Sequence, residues 1–405
     1  MKKRLLLVAL TGVSASIAHA QSSVTLYGLM DSGVSYTNNV RGFNSSTGGS
    51  HGSSDFRFGS GLMQSDLWGL KGTEDLGGGL KAVFDLENGF DVGNGTFSQG
   101  GREFGRNAYV GLSSVTAGTL TLGRQDEFMY DYVSRLSFEN FNDKGGNAFA
   151  HAMDNDNMAG TFRIDNSVKY ASPNYSGLVF GGLYGFSNQA GEFANNRAYS
   201  LGATYENGPI KAALAYTQLN NGPYQTLERN NSGAVDYIGD SQFTAQRQRT
   251  FGGGLNYSFG AANVGFVITD TQLNNGEDFS GGTAFAGATP ANVRFTNYEV
   301  NAHYNLTPAL TLGVAYTYTD GRYTSADGAD GAAAPKWNQF SLSSDYALSK
   351  RTDIYALSTY QHLSGGFALG ADGIQREFEG AGTYAGGTAA SPNQVVFGVG
   401  LRTRF

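Results

Sequence analysis

The chain has 405 residues, with 59 Gly, 7 Pro and no Cys. Charged residues make up 15%, against roughly 25% in typical soluble domains, and aromatics 13%. This composition excludes a collagen-like repeat, which needs abundant Pro, and a disulfide-stapled domain, which needs Cys. It also excludes a disordered chain, which would be poor in aromatics, and no apolar run is long enough for a membrane-spanning helix.

The first twenty residues read as an export signal. Lys2, Lys3 and Arg4 precede an apolar stretch from Leu5 to Ile17, and Ala18-His19-Ala20 supplies the small residues of a cleavage site. Cleavage there would make Gln21 the first residue of a mature unit spanning 21–405. Without the three basic residues of the signal, 24 basic side chains face 34 acidic ones, a net charge of −10. That balance argues against nucleic acid as a partner, since nucleic-acid binding needs a basic face.

Along the mature chain the dominant period is two. Leu310, Leu312, Val314, Tyr316 and Tyr318 alternate with Thr311, Gly313, Ala315, Thr317 and Thr319. Ile210, Ala212, Leu214 and Tyr216 alternate in the same way with Lys211, Ala213, Ala215 and Thr217. Successive side chains of a strand point to opposite faces, so each segment has one apolar and one polar or small face. Sixteen such segments run from 24–36 and 56–73, through 118–124 and 165–172, to 393–405. Their connections alternate between seven short turns, such as Asn207-Gly208, and eight long loops, such as 125–164. An even strand number with short turns at one end and long loops at the other is the pattern of an antiparallel transmembrane β-barrel. Sixteen strands enclose a lumen too wide for side chains to fill. A secreted β-sandwich would also alternate, but nothing in a sandwich requires turn lengths to alternate over the whole chain.

Several stretches carry a more specific likeness. Val24-Thr25-Leu26-Tyr27-Gly28 opens the mature chain, and Trp68-Gly69-Leu70-Lys71-Gly72-Thr73-Glu74-Asp75 enters the first short turn. Arg106-Asn107-Ala108-Tyr109-Val110-Gly111-Leu112 and Asn166-Ser167-Val168-Lys169-Tyr170 flank the longest loop, and Gly400-Leu401-Arg402-Thr403-Arg404-Phe405 ends the chain. Together they resemble the Gram-negative general porins of the β-proteobacterial, neisserial-like type, over nearly the full mature length. The resemblance implies an all-β, 16-stranded barrel with short periplasmic turns and long extracellular loops, multi-pass in the bacterial outer membrane. It implies a homotrimer whose third loop folds into the lumen. It further implies contact with outer-membrane lipid and lipopolysaccharide, and a terminal Phe405 read by the outer-membrane assembly machinery. The function expected is passive diffusion of ions and small hydrophilic solutes, with no enzymatic step and no cofactor. Two alternatives are a solute-selective channel with a saturable site and an adhesin or receptor acting through its external loops. In one respect the chain departs from the family: the position before Trp68, often basic in relatives, is Leu67, preceded by Asp66.

Strand parity nominates the wall of the pore. With Trp68 and Leu70 facing lipid, Lys71 faces the lumen; with Ala82, Phe84 and Leu86 outside, Lys81, Asp85 and Glu87 point in. The same logic sends Asp31, Lys169, Lys211, Glu299, Asp345, Arg402 and Arg404 inward. The constricting loop carries Asp126, Glu127, Asp131 and Glu139 as candidates to face these bases. Simple parity points Arg106 and Arg124 outward; both stand near strand ends, where a bulge can re-aim a side chain, and Arg124 joins the candidate set because it abuts the loop. Facing opposite charges would set a transverse field across the constriction, but the sign of any ion preference stays open.

Other motifs fit their settings poorly. Gly48-Gly49-Ser50-His51-Gly52 matches G-x-S-x-G without the strand–turn–helix that a nucleophile elbow needs. Asp154-Asn155-Asp156-Asn157 begins like a calcium loop, but Met158 takes the next ligand position and no Glu follows at the right distance. The mature chain's His51, His151, His303 and His362 lack metal-ligand spacing, so no metal or cofactor site is expected.

Overall fold

The computed structural model describes residues 22–43, 50–143, 147–220, 233–235, 240, 243–279, 283–284, 291–325, 332–365, 367–369, 375–377, 382–383 and 386–405. The export signal and Gln21 lie outside the described residues, as do Gly48 and Gly49.

Sixteen strands close into one antiparallel barrel, each hydrogen-bonded to its sequence neighbours. They are β1 (Ser23–Phe43), β2 in two halves (Ser50–Ser60 and Leu67–Gly77), β3 (Leu80–Gly89), β4 (Asn107–Ser114) and β5 (Gly118–Gln125). Then come β6 (Ile164–Ala171), β7 (Leu178–Gly185), β8 (Arg197–Asn207), β9 (Ile210–Asn220), β10 (Phe243–Phe259) and β11 (Ala262–Phe279). The last five are β12 (Ala291–Asn305), β13 (Leu310–Ser325), β14 (Lys336–Ala347), β15 (Thr352–Ser364) and β16 (Asn393–Arg404). Closure is made by β1 against β16, in a register from Leu29↔Arg404 to Thr37↔Val396. Phe405 extends this seam: its amide donates to the Gly28 carbonyl and its carbonyl accepts from the Gly28 amide, both at 3.1 Å. The Phe405 ring lies over Gly28 so closely that a Cβ there would stand 2.3 Å from Cζ.

The burial pattern is inverted relative to a soluble protein. On β14, Leu342 is 57% exposed while neighbouring Ser341 is 2% exposed. On β13, Leu312 and Val314 face out while Thr311, Thr317 and Thr319 are buried. The apolar face is thus the outer face and meets lipid, while the polar face lines the lumen. That distribution rules out the soluble sandwich.

Strand lengths differ from the sequence pattern at the outer rim. β10 to β13 have 15–18 residues, beyond the roughly 9–11 that cross a bilayer, so part of each expected long loop is a continuation of the barrel wall. The segment expected as one strand over 56–73 is broken between Ser60 and Leu67. Gly61 turns the chain at φ +67°, and Leu62 and Met63 fold inward and are buried. Two carboxylates hold the bend. Asp31 Oδ2 accepts the amides of Met63 (3.0 Å) and Gln64 (2.7 Å), and its Oδ1 accepts the Tyr355 hydroxyl. Asp66 accepts the Asp31 amide and the Ser60 hydroxyl.

Asp31→Ala would leave a buried amide, a half-buried amide and a buried hydroxyl without an acceptor. Removing such charge-assisted bonds costs about 3 kcal/mol. The denaturation midpoint of the folded barrel is expected to fall accordingly, with Asp31→Asn recovering part of the loss; an unchanged midpoint for Asp31→Ala would contradict this role.

Candidate pore constriction

The third outer loop, 126–163, does not project outward. It folds into the lumen as a series of short helical turns, including Met129–Val133, Ser134–Leu136, Phe138–Asp143 and Ala152–Asp154. Its descent begins at a β-bulge. Gly123 pairs with Ser167 but Gln125 with Ile164, so Arg124 opposes two residues. The extra residue lies on β6 and sets Asp165 beside Arg124, which is buried, with Nη1 2.6 Å from Asp165 and Nη2 2.6 Å from Asp240.

The first half of the loop rests on a bed of small side chains. Phe128, Met129, Val133 and Leu136 pack with Leu183, Ala198, Ala213, Ala215 and Val267 of β7 to β11. The wall is stripped to the backbone where contact is closest. A Cβ on Gly202 would lie 2.6 Å from Phe128 Cβ, and one on Gly252 2.3 Å from Met129 Cε. Glu127 fastens the start of the loop: it accepts from the Met129 amide (2.5 Å), the Tyr130 amide (3.1 Å), Asn157 Nδ2 (3.0 Å) and the Thr217 hydroxyl.

The second half is fastened by buried polar groups. Glu299 of β12 accepts the Phe138 amide at 2.8 Å and stands 3.1 Å from His151 Nε2. His151 Nδ1 lies 2.7 Å from Asp156 Oδ2, and the His151 amide donates to Glu139 at 2.8 Å. Asn297 Nδ2 and the Thr269 hydroxyl also donate to Asp156. The tip then crosses to the far wall. Gln339 donates to the Phe149 carbonyl at 3.0 Å, and the Asn147 amide donates to Met63 in the β2 bend at 2.9 Å.

With the loop held against β7 to β15, the open side of the lumen is the arc from β1 to β6. A ladder of polar side chains lines it. Lys71 Nζ stands 4.7 Å from the Tyr27 ring centroid. The Tyr27 hydroxyl donates to Asp85 at 2.7 Å and to Glu87 at 3.0 Å, and Glu87 accepts from Arg106 Nε at 2.6 Å. Facing it on the loop are Tyr130, Asp131 and Arg135. A cavity of about 270 Å³ separates Arg106 and Gln64 from this side of the loop. Lys169 bridges loop and wall, bonded to Asp131 and, at 2.6 Å, to the Asp126 carbonyl. Asp126 in turn lies 3.0 Å from Arg163 Nε.

The nominated residues therefore fall into two groups. Lys71, Asp85, Glu87, Asp131 and Lys169 gather around the passage, with Asp126 just behind, and Lys81 is exposed near the short-turn end of β3. Asp31, Arg124, Glu127 and Glu139 are enclosed and hold the wall or loop in place. Parity alone missed Arg106 and Arg135, while Tyr27, which shares the parity of Asp31 on β1, was passed over because it carries no charge. Arg106 precedes β4, so strand alternation does not govern it, and Arg135 lies in an aperiodic loop.

Burial sets the protonation of the loop anchors. It pushes Glu127 up to about 7 despite its four donors. Burial and then the charge of Asp156 bring Asp154 to about 7. Burial opposes the charge on His151, but Asp156 and Glu139 outweigh it and hold the imidazole well above its ordinary value. At Asp156 burial favours the neutral acid, and His151 overcomes it and lowers the carboxyl.

The whole-chain comparisons agree with this architecture. The Gram-negative porin family profile matches residues 6–366, and the chain belongs to that family. An outer membrane porin protein of Bordetella pertussis is 36% identical over 393 residues, covering 89% of this chain and 94% of that one. Among solved structures, an anion-selective porin from Comamonas acidovorans superposes with a TM-score of 0.66 at 22% identity, covering 95% of this chain and all of that one. A trimer form of OmpT from Vibrio cholerae superposes with a TM-score of 0.62 at 15% identity, over 95% of this chain and 99% of that one. The protein is an outer-membrane porin, a multi-pass β-barrel that lets ions and small hydrophilic solutes diffuse passively.

The raised value of Glu127 gives its anchoring a pH dependence. A carboxyl raised from 4.5 to about 7 on folding contributes stability that is complete below about pH 4.5 and lost as pH rises through 7. Amide hydrogen exchange over residues 127–133, corrected for intrinsic rates, is expected to show weaker protection at pH 8 than at pH 5. Equal protection at both would contradict it.

Proposed function

We propose that this porin is a weakly anion-preferring channel whose constriction lies between the 126–163 loop and the β1–β6 arc. One observation carries the reading. Three of the four acids at the passage are neutralised in place, Glu87 by Arg106, Asp126 by Arg163 and Asp131 by Lys169, while the fourth, Asp85, accepts from Tyr27 and stands opposite Lys71 on the neighbouring strand. Lys71 and Arg135, both exposed, have no ion-pair partner among the described residues. Lys71 and Arg135 stand against Asp85 alone, so the net charge left at the narrows is positive, although the chain as a whole is acidic. A charge in a confined low-dielectric passage acts on permeating ions far more than one on the outer rim. The anion selectivity named for the Comamonas acidovorans porin supports the same sign.

In this reading Lys71, Lys81, Asp85, Glu87, Arg106, Asp131, Arg135 and Lys169 shape the field felt by solutes, and Asp31, Arg124, Asp126, Glu127 and Glu139 position them. The channel carries out no covalent step. The working unit is a homotrimer in contact with lipid and lipopolysaccharide, a reading supported by the trimer form among its structural neighbours. Residues 1–20 direct export and are removed, and Phe405 at the closing seam marks the chain for the assembly machinery.

Bilayer recordings in a KCl gradient test the pore reading. Conductance steps in groups of three are expected, with a reversal potential of the sign for chloride preference. The double variant Lys71→Gln, Arg135→Gln should lower the chloride-to-potassium permeability ratio several-fold. A cation-preferring wild type, or a ratio unmoved by the double variant, would overturn it. Deleting Phe405 should cut the amount of folded protein in the outer membrane at least several-fold, and N-terminal sequencing of that protein should begin at Gln21. Undiminished yield without Phe405 would remove its assembly role.

A further inference from the structure

The cluster that fastens the second half of the constriction loop holds more carboxylate than its hydrogen bonds use. Glu139, His151 and Asp156 are brought together from separate turns, with side chains 0% exposed. Their ligand-bearing atoms lie within 4.8 Å of one another. Two oxygens remain over: Glu139 Oε2 and Asp156 Oδ1 are buried and have no hydrogen-bond partner. A buried acceptor without a donor is costly, and this one cluster holds two.

We propose that Glu139, His151 and Asp156 form a binding site for one divalent transition-metal cation of the zinc class, which clamps the two arms of the constriction loop together. The donor set selects the class. One imidazole nitrogen with carboxylate oxygens suits zinc. Calcium takes six to eight oxygen ligands, which this enclosed cluster cannot supply. The spacing also fits. Ligands on a tetrahedral zinc at about 2.0–2.2 Å stand about 3.4 Å apart. The present separations from His151 Nδ1, 2.7 Å to Asp156 Oδ2 and 3.7 Å to Glu139 Oε1, bracket that value.

The imidazole is already oriented for this role. Its Nε2 faces Glu299 Oε2 at 3.1 Å, the carboxylate-behind-histidine arrangement that fixes the tautomer of metal-bound imidazoles. Nδ1 is thereby left toward Asp156 and Glu139. Binding replaces the proton between Nδ1 and Asp156, which leaves to solvent, and the metal forms bonds to Nδ1 and to one oxygen of each carboxylate. No electron is transferred. Because Glu139 belongs to the turn Phe138–Asp143 and His151 and Asp156 to the return limb, the ion would tie the loop across its own width. The site stands independently of the ion preference proposed for the channel.

The test uses the folded, detergent-purified protein, stripped with chelator, loaded with zinc and dialysed. Elemental analysis should find about one zinc per chain, and anomalous diffraction at the zinc edge should place it beside His151. Glu139→Gln should weaken zinc binding at least tenfold while keeping the β-sheet circular dichroism spectrum of the folded barrel. His151→Gln provides a second variant should the first fail to fold. Zinc retention in the wild type no greater than in a folded variant, or an anomalous peak elsewhere, overturns the site. Failure there leaves the reversal-potential result untouched, so the two proposals fall separately.

Discussion

A peptide group in hydrocarbon has no water to bond with, so every amide and carbonyl of a membrane-crossing sheet must find its partner within the protein. For this chain the requirement is met at the β1–β16 seam, where nine residue pairs from Leu29↔Arg404 to Thr37↔Val396 turn an open sheet into a ring. Closure fixes everything that follows. It sets one face of each strand toward lipid and the other toward a polar lumen, and sixteen strands leave that lumen too wide for wall side chains to fill. What narrows it must come from elsewhere in the chain.

The narrowing element is the 126–163 loop, and its position follows from two kinds of contact. On one side its aromatic and aliphatic residues lie on Gly202, Gly252 and alanines of β9, where the wall offers no side chain to stand them off. Farther along, Glu299, Asn297 and Thr269 take hold of Phe138, His151 and Asp156 through charge-assisted and neutral hydrogen bonds. The loop is therefore a packed insert rather than a free flap. The side it leaves uncovered carries Lys71 and Arg106, while Asp131 and Arg135 face it from the loop, which ties the field at the passage directly to how the loop is anchored.

Much of this was legible in the sequence because a barrel strand is a strictly local pattern. The alternation of Leu312 and Val314 with Thr311 and Ala315 names the lipid face without any knowledge of neighbours, and alternating turn lengths then give the strand number. Legibility ended where nonlocal contacts override the period. The break between Ser60 and Leu67 depends on Asp31, far away in sequence, accepting the amides of Met63 and Gln64. The bulge at Arg124 depends on pairing with Ser167 and Ile164. His151, Glu139 and Asp156 have no regular spacing because an aperiodic loop assembles them. One signal was present and unused: Gly181, Gly202, Ala213, Ala215, Gly252 and Gly254 put small residues at inward positions on four consecutive strands, which is the footprint of something packed against the wall.

A ring of polar side chains, narrowed but not sealed by an anchored loop, forms a continuous aqueous path. Single-channel conductance of the purified protein across a range of KCl concentrations tests it most directly. Discrete open steps are expected whose size rises in near proportion to salt, as ions in a water-filled passage require. Folded, inserted protein that gives no steps would contradict it, because the loop would then close the lumen rather than constrict it.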